Sequence, residues 1–261
     1  MGVDRKLVCG WFSERGAPNW PCMTCGGGHL RIAPNTIQHG PTAHTRAGRD
    51  HPGHEPDWDE LRAVALATCD NPLCGEVATI VGKGEWAEDY DSYAHELNYY
   101  SRFQVTHFDP SPPLIVIPLA CPDAAKKEIR KAFVLAWGDP PSAANHLRTA
   151  VERVLDGLKV LKTQKASNGS RHRLQLHYRI ERIKTRHPEA HAALMAIKWL
   201  GNAGSHASDL TQEQLLVAFD IFERALRHLF AAEDKEIRKA ISKINANKGP
   251  TRTPRRLSGK P

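Results

Sequence analysis

Three short stretches in the first half of the chain have the residue pattern of β-strands. The predicted strands are residues 61–68, 76–83 and 97–108, the last of which combines Tyr, Phe, Val and Thr. A proline-rich crossing over 109–122 ends this part. Residues 31–57 are rich in Pro, Gly and His and have little periodicity, so we predict a loop or a poorly ordered insert there. Residues 1–16 are predicted to be a loose lead-in.

From residue 123 onward, apolar residues recur at the three- and four-residue spacing of helices. Four predicted helical segments cover residues 124–137, 143–161, 171–186 and 189–200, and Pro188 stands at the start of the fourth. The capping-box pattern Thr211–Gln214 then opens a strong helix. A last amphipathic segment is predicted over 233–246. Such a set favours a bundle of four or five helices.

The predicted fold class is therefore α+β, mainly α, with a small β module in front of a helical bundle. We predict a cysteine-bearing, zinc-ribbon-like β module over residues 1–122 and a helical bundle over residues 123–246. Residues 247–261 carry prolines and basic residues without acids, which predicts a disordered basic tail. This tail is interpreted either as solubilising or as a weak nucleic-acid contact.

Composition restricts the class of protein only loosely. The chain has 261 residues, of which 41% are hydrophobic, so it can bury a core. The longest apolar run, 112–121, is short and broken by proline, and no apolar stretch follows the N-terminus. We therefore expect a cytoplasmic protein with no membrane partner. The net charge of +7 and the pI of about 9.1 are compatible with a polyanion such as RNA or DNA.

Two cysteine pairs carry the clearest chemistry of the sequence. Cys22 and Cys25 are separated by two residues, Cys69 and Cys74 by four, and a glycine follows each pair. Two thiolates so close in sequence can reach one ion while the glycine lets the backbone turn beneath it. Four thiolates form the closed tetrahedral set of structural zinc, so we predict a structural Zn²⁺ site that contributes folding energy.

Alternatives to this site remain open at the level of sequence. The cysteines can be ordinary residues without metal, or one pair can be redox-active. A histidine of the intervening segment can also replace a cysteine as ligand; the candidates are His39, His44, His51 and His54.

A second group of polar residues lies on the predicted helices. Asn202 and His206 are four residues apart, as are Arg148 and Glu152, so each pair shares a helix face. If the two helices pack antiparallel, the four side chains converge. An arginine that neutralises phosphate and a histidine that transfers a proton are the groups that metal-free RNA cleavage needs.

A purely structural interpretation of the same residues is also available. Gly201 and Gly204 can let two helices approach closely, Asn202 and His206 can cap backbone groups, and Arg148 and Glu152 can form an ordinary intrahelical ion pair. Lys198 and Trp199 are interpreted as a solvated charge and a packing aromatic.

The stretches Ala144–Leu155 and Trp199–His206 together resemble a bacterial family called domain of unknown function 4145, over roughly residues 17–232. That family is similar to the HEPN superfamily of helical bundles, many of whose members are metal-independent, commonly dimeric RNases of toxin or antiviral systems. The resemblance implies a HEPN-like bundle, a homodimer and protein partners in a defence system. Where the HEPN motif has arginine before its Asn, this sequence has Gly201, so Arg148 would have to substitute.

Three functions follow as hypotheses. The first is a zinc-containing nucleic-acid-binding or sensing protein in phage defence or restriction, which Gly201 favours. The second is a metal-independent endoribonuclease in which His206 is the acid and base, Asn202 orients it and Arg148 stabilises phosphate, with Glu152 beside them. The third is a protein-interaction scaffold.

Overall fold

A computed structural model describes residues 2–33, 35–93, 95–167, 169–206, 210–230, 242–247 and 249. The strands are Trp11–Phe12 (β1), Trp20–Pro21 (β2), His29–Ile32 (β3), Gln38–Pro41 (β4), Leu61–Cys69 (β5), Val77–Asp91 (β6), Glu96–Asp109 (β7), Thr163–Lys165 (β8) and Arg171–Arg173 (β9). The helices are Arg5–Cys9 (α1), Ala43–Gly48 (α2), Asp123–Leu135 (α3), Pro140–Gly157 (α4), Leu176–Glu181 (α5), Pro188–His206 (α6) and Gln212–Phe230 (α7).

The first half of the chain folds into one antiparallel sheet with the order β1-β7-β6-β5-β3-β2, and β4 also pairs with β5. Along β5 every second side chain is buried, so one face of the sheet covers the core. The three strands predicted from the sequence are confirmed as β5, β6 and β7. A register shift at Val81 and Gly82 explains why the buried residues Phe103, Val105 and Phe108 of β7 change their spacing from two to three.

Two sequence predictions for the first half are wrong. The segment 31–57 is ordered rather than loop-like, because β4 pairs with β5 from Gln38 to Pro41 and α2 begins at a side-chain cap from Thr42. The lead-in 1–16 is also part of the fold, since Val8 and Phe12 are buried and β1 pairs with β7.

In the second half, α4 packs against α3, α6 and α7. The predicted cap of α7 is confirmed in both directions: the backbone N–H of Gln214 donates to Thr211 Oγ1 at 3.2 Å, and the N–H of Thr211 donates to Gln214 Oε1 at 3.0 Å. Pro188 opens α6 as predicted. The segment 171–186 is helical only in α5; its first residues form β9, which pairs with β8.

Aromatic side chains join the sheet to the helices. The rings of Trp20 and Phe108 meet edge to face with their centroids 5.1 Å apart. The Phe108 ring centroid also lies 5.5 Å from that of Trp137, directly after α3. The Trp137 indole N–H donates to Ser111 Oγ at 2.9 Å in the buried crossing between the two halves. One hydrophobic core therefore runs from the sheet into the helices.

The described part of the chain is a mixed α/β fold, with 40% of its residues in helices and 26% in strands. The expectation of a mainly α chain is not confirmed, because the hairpin of β6 and β7 is longer than its predicted strands. Within the described part of the chain, no helix combines the length and the apolarity needed to cross a bilayer. Residues 242–247 are helical; the remainder of the predicted segment 233–246 and the predicted basic tail lie outside the described residues, save Asn247 and Gly249.

Replacing Phe12 by alanine tests whether the N-terminal strand belongs to the core. Phe12 is fully buried, with ring centroids 5.5 Å from Phe103 and 6.2 Å from Trp20. We expect Phe12→Ala to lower the free energy of unfolding by about 3–5 kcal/mol in urea denaturation. The control Tyr93→Ala, at an almost fully exposed hairpin residue, should change it by less than about 0.5 kcal/mol. A loss below about 1 kcal/mol for Phe12→Ala would contradict this packing.

Candidate functional site: a cysteine cluster and a basic cleft

The four paired cysteines meet at one end of the sheet. Cys22 and Cys25 flank the turn after β2, Cys69 ends β5, and Cys74 lies in the turn before β6. The Sγ atoms of Cys22 and Cys74 are 3.9 Å apart, those of Cys25 and Cys69 are 3.7 Å apart, and all four lie within 4.8 Å of one another. A tetrahedral ion bound through sulfur at about 2.3 Å requires sulfurs about 3.8 Å apart. The cluster therefore has the geometry to hold a metal ion.

Glycines allow the two turns to close beneath the sulfurs. Gly26 and Gly75 follow the second cysteine of each pair and have φ angles of 64° and 60°, a left-handed conformation that strains other residues. A Cβ on Gly28 would lie 2.5 Å from Cys69 Sγ. The backbone of the first turn can therefore approach the cluster only because a glycine stands there.

The thiols of the cluster differ in acidity. Backbone hydrogen bonds from Gly27, and more weakly from Gly28, lower the pKa of Cys25 to about 6, whereas burial raises the pKa of Cys69 to about 12. Four thiolates side by side repel one another, and a dication between them offsets that repulsion. The donor set thus suits a cation that prefers sulfur.

The histidines considered as alternative ligands lie elsewhere. Among the described residues, the group of side chains close enough to share an ion contains only the four cysteines. His54 Nε2 lies 3.1 Å from Asp59 Oδ1, and His39 Nε2 lies 3.3 Å from Ser101 Oγ.

The second candidate site is a cleft of about 820 Å³ between α4, α5, α6 and the β8–β9 hairpin. Among the described residues, six cationic side chains and two carboxylates line it, together with His177 and Asn202. The cations are Arg148, Arg153, Lys162, Arg173, Arg179 and Lys198, and the carboxylates are Glu152 and Asp156. The cleft wall is therefore positively charged.

The structure brings three of the four predicted helical site residues together. The Arg148 Nε–H of α4 donates to Asn202 Oδ1 of α6 at 3.0 Å, and Arg148 Nη1 lies 3.6 Å from Glu152 Oε1. His206 is the last residue of α6, and its side chain lies outside the described part of the chain. Arg148 thus lies beside the asparagine, where it can contact an anion in the cleft.

Gly201 explains why no arginine precedes Asn202. A Cβ at this buried position would lie 2.6 Å from Arg148 Cβ and 3.0 Å from the Ala144 carbonyl oxygen. Because real Cβ atoms essentially never come so close, a larger side chain at 201 would push α4 and α6 apart. The predicted close approach of two helices at Gly201 is confirmed.

The interpretation of Lys198 as a solvated charge is wrong. Lys198 is only 8% exposed, and its Nζ lies 3.3 Å from the centroid of the Trp199 ring. Burial and the neighbouring Arg148 lower the pKa of Lys198. Its spacing of four from Asn202 was a sequence signal that places it on the same face of α6.

Trp199, interpreted from the sequence as a packing aromatic, is 56% exposed. Sequence reasoning also missed Arg179 and His177, which the short helix α5 places in the cleft.

Two family models match the chain, over separate segments. Residues 130–247 match Domain of unknown function (DUF4145), which confirms the resemblance for the helical half. Residues 10–110, with the cysteine cluster, match a different model, Domain of unknown function (DUF8608). No curated protein and no solved structure matches the chain.

We expect the cysteine cluster to bind one metal ion per chain. Elemental analysis of the purified protein should find about one equivalent of a sulfur-preferring metal. Cys25→Ser, which changes an exposed ligand, should lose most of it, whereas Cys9→Ser, outside the cluster, should retain it. Equal metal content in the two variants would exclude the cluster as the binding site.

Gly201→Ala should destabilise the protein although alanine favours helices. The gain in helix propensity is about 1 kcal/mol, whereas overpacking against Arg148 and Ala144 costs about 1–3 kcal/mol. In the control Gly48→Ala, at the end of α2, the new Cβ has no atom of the described residues within 4 Å, so the change should be neutral or stabilising. Urea denaturation measures the free energy of unfolding of both variants. A Gly201→Ala protein more stable than wild type would contradict the close approach of α4 and α6.

Proposed function

We propose that this protein binds single-stranded nucleic acid in the cleft between α4, α5 and α6, and that Zn²⁺ holds its cysteine cluster. The observation that carries the first part is the excess of cations in a cleft bordered by exposed aromatic rings. Phosphate neutralisation by Lys and Arg supplies most of the affinity of such sites, and stacking on aromatic rings supplies the rest.

The carboxylates of the cleft compensate only part of its positive charge. The Asp156 carboxylate forms three ion pairs: Oδ1 lies 2.7 Å from Arg179 Nη2, and Oδ2 lies 2.9 Å from Lys162 Nζ and 3.3 Å from Arg153 Nη1. Three cations therefore share one carboxylate. Glu152 similarly lies between two arginines, Arg148 at 3.6 Å and Arg173 at 3.7 Å. The residual charge favours a polyanion.

Aromatic rings continue from the cleft to its edge. Trp199 and Tyr178 are more than half exposed, and His177 lies between them with ring centroids 6.5 Å and 5.4 Å away, respectively. Only unpaired bases offer their faces for stacking. A cleft volume in the range of small-molecule pockets also suits a few unpaired nucleotides better than a duplex.

Zinc is the proposed metal because four thiolates without a histidine or carboxylate match its structural sites. A closed set of four ligands leaves no position for substrate, so the ion would stabilise the sheet rather than take part in chemistry.

A metal-independent endoribonuclease is a second candidate, favoured by the contact between Arg148 and Asn202. Arg148 would stabilise the charge of the reacting phosphate, Asn202 would orient the site, and His206, one turn further along α6, would transfer the proton. These roles follow the HEPN resemblance, with Arg148 substituting for the arginine that the motif has before its Asn. The resemblance also implies a homodimer in a defence system.

A protein-interaction scaffold is the third candidate, and the outer part of the β6–β7 hairpin favours it. Among residues 85–102 there are five carboxylates and a single arginine, while Tyr90, Tyr93, Leu97 and Tyr99 are exposed. Tyrosines are enriched in protein interfaces, and the negative charge repels phosphate. This surface therefore suits a protein partner, with the nucleic acid bound elsewhere.

Salt titration tests the proposed function. The affinity for a labelled single strand is measured by fluorescence anisotropy at increasing salt concentration. The logarithm of the association constant should fall linearly with the logarithm of the salt concentration, with a slope of about −0.7 per neutralised phosphate. Trp199→Ala should weaken binding about 5- to 150-fold through lost stacking. The control Trp58→Ala removes a ring of the same 56% exposure outside the cleft and should leave the affinity unchanged. Equal losses in both variants, or no binding at low salt, would contradict the proposal.

The same samples test the endoribonuclease candidate. Without added metal ions, wild-type protein should cleave single-stranded RNA, and His206→Ala should not. Binding without cleavage by wild type would leave the binding function alone.

A further inference from the structure

We propose that the inner part of the basic cleft binds the terminal phosphate of a nucleic-acid strand, so that the protein recognises phosphorylated ends. This inference rests on the proposed function and adds the part of the ligand that is recognised. It is carried by a buried lysine that forms no ion pair, and by two buried nitrogen atoms that have no hydrogen-bond partner, within the described part of the chain. Exposed cations lie next to them at the rim.

Lys198 is the first of these groups. It lines the cleft and is buried, and its Nζ lies 3.3 Å from the centroid of the Trp199 ring. Among the described residues no carboxylate forms an ion pair with it. Arg148, on the facing helix α4, places a second positive charge near it. A buried ammonium beside another cation is unfavourable in the free protein, and an anion bound between the two relieves that cost.

Arg179 and His177 supply further unpartnered atoms on the same wall. The Arg179 guanidinium is buried; its Nη2 donates to Asp156 Oδ1 at 2.7 Å and to the Val160 carbonyl at 3.2 Å. Its Nε has no hydrogen-bond partner among the described residues. His177 Nδ1 is also buried, with no hydrogen-bond partner in the part of the chain that the structure describes. Buried polar groups without partners are rare. After a small side-chain movement, acceptor oxygens of a ligand would satisfy the Arg179 Nε–H and, when Nδ1 carries the proton, the His177 ring.

The distribution of exposure separates an inner part from a rim. Lys198 and Arg179 are buried, whereas the Arg173 side chain is 82% exposed and that of Lys162 is 61% exposed. A nucleic-acid strand lying along the rim would bring its internal phosphodiesters to Arg173 and Lys162. The inner cations would instead be reached by the terminal group of a strand whose end points into the cleft.

A terminal phosphate has the chemistry that these inner groups require. A phosphate monoester carries a charge of about −1.5 to −2 at pH 7 and has three strongly accepting oxygens. An internal phosphodiester carries a single charge, and the chain must leave it in two directions. The inner part of the cleft should therefore prefer an end to an internal linkage.

The experiment compares three labelled single strands of one sequence, with a 5′-phosphate, with a 3′-phosphate, or with both ends as hydroxyls, in fluorescence anisotropy. We expect one phosphorylated strand to bind at least about tenfold more tightly than the unphosphorylated strand, as charge-assisted hydrogen bonds predict. Lys198→Met, which keeps the length of the buried side chain, should reduce that ratio to about one. The control Lys162→Met changes a rim cation. It should weaken the binding of all three strands and preserve the affinity ratio between phosphorylated and unphosphorylated strands.

The possible outcomes separate this inference from the proposed function. Binding of all three strands with equal affinity would overturn terminal recognition and leave nucleic-acid binding standing. No binding of any strand would overturn both. A phosphate preference that Lys198→Met retains, with thermal unfolding unchanged, would exclude the inner part of the cleft as its source. Inorganic phosphate is added as a competitor: it should displace the phosphorylated strand only at concentrations far above that of the strand, and displacement at equal concentration would identify free phosphate as the ligand instead.

Discussion

The contact of α4 with α6 at Gly201 is the constraint on which the candidate cleft depends. At this point the backbone of α6 lies against Arg148 Cβ and the Ala144 carbonyl, with no room for a side chain. The close approach brings Arg148 within hydrogen-bonding distance of Asn202. It also places a second cation near Lys198, so that two like charges share one partly buried wall. Because helices packed through larger residues lie farther apart, the charge arrangement of the cleft follows from a glycine that itself carries no chemistry.

The cysteine cluster and the cleft belong to halves that share one core. Phe108 of β7 packs on Trp137 after α3, and the backbone N–H of Val116 in the crossing donates to the Glu223 carboxylate of α7 at 3.0 Å. At the N-terminus, Arg5 pairs with Asp220 of α7 at 2.7 Å. A metal ion bound in the cluster would therefore stabilise the sheet against which the helices pack, and its loss would destabilise more than the two cysteine turns.

Much of the fold could be predicted because long elements show their period. Strands β5 to β7 and the helices around α4 follow from the spacing of apolar residues, and the reciprocal cap of Thr211 and Gln214 follows from its capping-box pattern. The convergence of Arg148 with Asn202 is expected only if their two helices pack antiparallel. The strands β1 to β4 could not, since two to four residues show no periodicity and form only by pairing with residues distant in sequence. The apolar spacing of 171–186 also misled, because residues 171–173 pair with β8 instead. The interpretation of Lys198 as a solvated charge is wrong because most lysines are solvated and this one is buried. Its place on the same face of α6 as Asn202 nevertheless follows from their spacing of four residues.

The account is tested most directly by locating a bound strand on the protein. Ultraviolet irradiation of the protein with a uridine-rich single strand, followed by mass spectrometry of the crosslinked peptides, reports which aromatic side chains contact unpaired bases. The cleft predicts crosslinks at Trp199 and at the His177–Tyr178 pair, with none at the acidic hairpin around Tyr93. Crosslinks confined to the hairpin or to the cysteine turns, with the cleft peptides unmodified, would contradict the assignment of the α4–α6 cleft as the binding site.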